Sequence, residues 1–184
     1  MTLLMLAVAA MFQQPQAAAP RQTPQPNTAF DSSVAAISDI GIKVAETRSV
    51  YDLYRRAAFN EPDGALMDRA TMYGASCRAL SNALRDGHHA ICLHCLPARI
   101  QPVVDQYRTY LPTLERFSVA CASRIDQLKE RGTTTAQTKA LRDDVIPAGN
   151  RMVTALRGYE VRLQGVRQAM GWVAPNVPTP RRGG

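Results

Sequence analysis

LRDDVIPAGNRMVTALRGYEVRLQGVRQAM, residues 141–170, carries apolar side chains at Leu141, Val145, Ala148, Met152, Leu156, Tyr159, Leu163, Val166 and Met170. Every step is three or four residues, the spacing that aligns one face of an α-helix. A thirty-residue stripe of this kind cannot stay in water alone and requires other helices of similar length to cover it.

Three such partners lie upstream. Phe30, Ile37, Val44, Tyr51 and Ala58 recur seven apart, with Ile40 and Tyr54 between them. Leu66, Ala70, Tyr73, Cys77, Leu80 and Leu84 form a second stripe. Val104, Tyr107, Leu111, Leu114, Cys121, Ile125 and Leu128 form a third. No segment alternates with period two, so the expected fold class is all-α. Asn60–Gly64 with Pro62, the Pro97–Pro102 stretch and Arg131–Thr135 break the pattern between segments. Four long helices with short connections predict an antiparallel up-down-up-down four-helix bundle over residues 30–172. Pro112 and Pro147 fall inside helical patterns and are expected to kink them. The tyrosines on the stripes are expected to be core residues with tethered hydroxyls rather than a cofactor box.

Outside these limits the chain changes character. Residues 3–12, LLMLAVAAMF, are an apolar run too short to span a membrane and of the length of a signal-peptide core. Ala17-Ala18-Ala19 offers a cleavage site, so residues 1–19 are expected to be a signal peptide. The run lacks a preceding basic residue, as a start codon misplaced downstream would explain, and Pro20 sits awkwardly after the cut. Residues 20–29 then form a Pro/Gln-rich linker and residues 173–184 a disordered tail. The expected location is periplasmic or extracellular, with no transmembrane span in the mature chain.

The chain has 184 residues, 46% hydrophobic and 6% aromatic, enough for one domain with a substantial core. Its net charge is +7, and of 22 basic residues only Lys43, Lys129 and Lys139 are lysine. The arginines are spread along the chain, which favours solvated helix faces. An acidic polymer or anionic lipid remains an alternative partner for this surface, and nucleic acid is not expected.

The chemistry concentrates in GHHAICLHC, residues 87–95, which holds all three histidines and two of the four cysteines. The apolar stripe of the second segment continues past Gly87 through His88, Ile91 and Cys95. Reading the helix through to Cys95 centres the following turn near Arg99 and puts Cys77 level with Cys121. A buried Cys77–Cys121 disulfide is therefore expected, with Cys92 and Cys95 left as a second, local pair. On such a helix His88, Cys92 and Cys95 share one face, and with His89 they form a candidate site for Zn²⁺ or Cu⁺. The favoured reading is a plain structural disulfide with no cofactor; metal binding comes second and thiol–disulfide exchange third. Haem attachment needs a histidine directly after the second cysteine, and position 96 is leucine.

No nucleophile elbow, phosphate-binding glycine loop, H-E-x-x-H or Glu-x-x-His pattern occurs, and Asp143-Asp144 reads as a solvated acidic pair. The functional expectation is an exported, non-catalytic protein that binds a protein partner as a structural, assembly or adaptor component at the cell envelope.

Overall fold

The computed structural model describes residues 28–130 and 135–172. The expected signal peptide, residues 20–27 of the linker and the C-terminal tail lie outside the described residues. Helix α1 spans Thr28–Asn60, α2 Asp63–Ala90 and α3 Gln101–Glu130. A single 3₁₀ turn, Leu93–Cys95, lies between α2 and α3. The last arm is composite: α4 (Thr135–Ala140), a π-helical turn (Leu141–Val145) and α5 (Ile146–Met170) follow without a break. The described residues contain no strand, and four long helical arms pack against one another. Thr28 and Ala29 belong to the first turn of α1.

The apolar stripes become the core. All the stripe residues of α2 and α3 are buried, and in the other two arms only Phe30, Ala148 and Met170 are partly exposed. Gaps in the stripes are filled by small polar residues. Ser33 and Thr47 in α1 and Ser118 in α3 are fully or nearly fully buried where the spacing calls for an apolar side chain. Each satisfies its hydroxyl on a backbone carbonyl: Ser33 donates to Ala29 O, Ser118 to Leu114 O and Thr47 to Ser76 O. A buried hydroxyl is tolerable once it is paired this way.

The core divides along its length. One half gathers Ile40, Leu84, Leu96, Leu111 and Leu156; the other gathers Tyr51, Tyr54, Tyr73, Cys77, Cys121 and Leu141. Between α2 and α3 the contacts share a midpoint near Arg99. A methyl group at Gly74 would lie 3.2 Å from Ile125, Arg85 pairs with Glu115 at 2.9 Å, and Arg108 donates to the His88 carbonyl. This is the register expected for Cys77 and Cys121.

Long side chains bridge α1 to the final arm. The Tyr51 hydroxyl donates within reach of both Ile146 O (3.1 Å) and Asn150 Oδ1 (2.8 Å), and Tyr54 donates to Leu141 O. Arg48 pairs with Glu160, and Arg142 caps the Ala58 carbonyl near the end of α1. At Gly149 the approach of α1 leaves no room for a side chain, since a Cβ there would fall on the Tyr51 ring.

One local expectation is corrected. Helix α2 ends at Ala90, not at Cys95. Ile91 and Cys92 are extended, and the Cys92 N–H leaves the helix to bond Ser33 Oγ at 3.0 Å. The departure buries Ile91 and Leu96. Gly87, inside α2, is a close-approach site where a Cβ would fall on Ile40 of α1. Pro147, in turn, falls in the opening turn of α5, directly after the π-helical turn. The wider π turn accommodates a ring that lacks an N–H and crowds the carbonyl four residues back.

Candidate functional site

The GHHAICLHC segment forms a capped corner. The Arg108 guanidinium donates to the His88 carbonyl, one of those left open at the end of α2. After Ile91 the chain turns through Leu93–Cys95, where Cys95 N–H donates to Cys92 O and Leu96 N–H to Leu93 O. Cys92 and Cys95 are joined by a disulfide across a Cα–Cα distance of 5.4 Å.

His88 and His89 contact edge to face, with ring centroids 5.4 Å apart. Burial, together with the Arg108 and His89 charges, holds the His88 imidazole below its ordinary value and favours the neutral ring. His89 and His94 are exposed. Because α2 ends at Ala90, His88, Cys92 and Cys95 do not share the helical face on which the Zn²⁺ or Cu⁺ reading depends. Among the described residues, no three His, Cys, Asp or Glu side chains converge on a point where an ion could sit. A disulfide and a two-thiolate metal site are moreover mutually exclusive uses of the same sulfurs.

The other two cysteines meet as the register requires but are not joined. Cys77 and Cys121 are free thiols buried in one core cluster at the α2–α3 seam. The expected disulfide between them is absent from the structure; both sulfurs sit in a packed interior, at 0% and 2% exposure. Their mutual interaction and burial push the Cys77 thiol up, whereas interaction with Cys77 holds Cys121 below its ordinary value.

Tyr73 completes the cluster. It stands one helical turn before Cys77 in the same buried cluster, and its buried hydroxyl has no hydrogen-bond partner. Its ring stacks on Tyr54 at 5.6 Å and leans on Tyr51 at 5.1 Å. Burial pushes the Tyr51 phenol up to about 12 and the other two further still. Five of the six tyrosines tether their hydroxyls as expected: Tyr51, Tyr54, Tyr107, Tyr110 and Tyr159. Tyr73 is the exception.

On the outer side of Cys121 lies a cavity of about 540 Å³ between α3 and the final arm. Phe117, Ala120 and Cys121 line it from α3, and Asp144, Pro147 and Arg151 line it from the other side. The acidic pair Asp143-Asp144 is thus not simply solvated: Asp144 is ion-paired with Arg124 at this cavity. Tyr73 could have been picked out from its i, i+4 spacing to Cys77. The cavity could not, since it depends on how Pro147 and the π turn set the final arm against α3.

None of the described helices is long and apolar enough to cross a membrane. No protein-family model matches the chain, and neither a curated protein nor a solved structure shows significant similarity to it.

Proposed function

We propose that this is an exported, non-catalytic helical protein that acts by binding a protein partner, as a structural, assembly or adaptor component at the cell envelope. The observation that carries the reading is the Cys92–Cys95 disulfide, taken together with the apolar run at residues 3–12. Disulfides persist in oxidising compartments outside the cytosol, and the run has the length of an export signal.

The architecture we assign is an antiparallel up-down-up-down four-helix bundle, with Pro112 and Pro147 as bend points. The contact order supports it. Along α1, Arg48, Tyr51 and Tyr54 meet Glu160, Asn150 and Leu141 in turn, and the α2–α3 contacts centre near Arg99.

Binding rather than chemistry is supported by the surface. Phe59 on α1 is 72% exposed beside Arg55 and Arg56, and Val161 on α5 is 71% exposed. An exposed aromatic flanked by arginines suits an interface anchor. The arginine excess adds attraction for a partner with an acidic face.

The test is fractionation of cells expressing the full chain with a C-terminal tag, followed by cross-linking and recovery from the envelope fraction. The reading expects extracytoplasmic protein and a defined cross-linked partner that is weakened in Phe59→Ala. Cytoplasmic protein would overturn the export reading. A monomer that retains nothing at low salt would overturn the binding reading.

A further inference from the structure

The buried pair Cys77–Cys121 is a different kind of site from the corner disulfide. Its two cysteines stand at one level of the α2–α3 seam, both reduced and both buried in the same core cluster. It is closed to protein-sized oxidants. Thiol–disulfide exchange requires the attacking and attacked sulfurs to line up, which a folded partner cannot do against groups 0% and 2% exposed. Small molecules face a different barrier, because Cys121 forms part of the wall of the 540 Å³ cavity while Cys77 lies behind it. The Tyr73 hydroxyl, buried in the same cluster one helical turn before Cys77 and without a hydrogen-bond partner, is a donor available to a thiolate there.

We infer that Cys121 is an oxidation site for small hydroperoxides, with Cys77 as its resolving partner and Tyr73 as the donor that positions and stabilises the reacting thiolate. The Cys121 thiolate, its proton released to water in the cavity, attacks one peroxide oxygen. The O–O bond breaks, Cys121 becomes a sulfenic acid, and the departing hydroxide takes up a proton to leave as water. Cys77 sulfur then attacks the Cys121 sulfur and the S–O bond breaks. The leaving hydroxide takes the Cys77 proton, giving a second water. Two thiols are oxidised to one disulfide and one hydrogen peroxide is reduced to two waters. The product ties α2 to α3 at mid-helix, far along both helices from the corner bridge at their turn.

This inference stands independently of the export and binding reading. It is tested on the full chain, reduced with a phosphine, desalted, titrated with hydrogen peroxide and mapped by non-reducing digestion. The expected result is a Cys77–Cys121 peptide pair that forms before Met72, 48% exposed, becomes a sulfoxide. In Cys77→Ala, Cys121 should be trapped as a dimedone adduct; in Cys121→Ala, Cys77 should remain unmodified at the same dose. Ala120→Leu, an exposed helix position on the cavity wall, should slow pairing severalfold without altering the helical circular dichroism. The proposal is overturned if both thiols outlast Met72, if Cys77 is the sulfur that traps dimedone, or if filling the cavity leaves the rate unchanged. The wild-type map and Ala120→Leu decide the matter even if neither cysteine variant folds.

Discussion

Gly149→Ala should destabilise this protein although it sits inside a helix. In an open helical position, replacing glycine with alanine gains about 1 kcal/mol, from reduced freedom of the unfolded chain and better propensity. At Gly149 the added methyl falls on the Tyr51 ring, which is 2% exposed and held by Ile146 O and Asn150. Forcing a methyl into a packed contact costs about 1–3 kcal/mol. Displacing the ring also forfeits the hydroxyl's hydrogen bonding, worth about 1 kcal/mol per bond. The hydroxyl has one proton and so one such bond to lose, and the balance is a net loss of about 1–3 kcal/mol once the helix gain is subtracted. Gly165, also in α5, is the internal control. A methyl there would meet only Val103 Cγ1 at an ordinary 3.5 Å, so Gly165→Ala should stabilise by about 0.5–1 kcal/mol. Urea titrations of both variants, followed by circular dichroism, should move their midpoints in opposite directions. Equal stabilisation by the two substitutions would refute the reasoning, because it would mean that Tyr51 does not occupy the space against Gly149.

Tyr73→Phe separates stability from reactivity. It removes a buried hydroxyl that lacks an oxygen or nitrogen partner, so stability should hold or rise by about 1 kcal/mol, while peroxide-driven pairing of Cys77 and Cys121 slows. For His88, the fold favours the neutral imidazole, so the unfolded chain binds more protons wherever the two states differ. Stability should be constant above the ordinary value of 6.5 and fall as the pH drops below it; His88→Gln should flatten that part of a urea-midpoint profile. Cys92→Ser opens a ring of only a few residues and should cost about 2 kcal/mol by chain-entropy reasoning. Treating the native protein with reductant should reproduce the loss in a thermal melt.

The four helical arms were legible because their stripes hold a spacing of three and four over long stretches, even where Ser33, Thr47 and Ser118 interrupt the apolar run. The meeting of Cys77 with Cys121 was legible for the same reason: two stripes and one turn define a register. Their bonding state was not, since equal height says nothing about whether two sulfurs are oxidised. The end of α2 was misread because Ile91 and Cys95 continue the stripe. What stops the helix is tertiary, the Ser33 hydroxyl on α1 capturing the Cys92 N–H. Gly87 and Gly149 were invisible as packing sites, because their importance depends on which side chain of α1 lies opposite. The cavity beside Cys121 likewise depends on the π turn before Pro147, which no apolar spacing announces.

The most direct test of the functional account is a non-reducing peptide map of the protein recovered from its own cells. The account predicts a chain whose first residue lies beyond the apolar run at 3–12, with Cys92 and Cys95 joined in one peptide. A chain that retains that run and carries Cys92 and Cys95 as free thiols would contradict it.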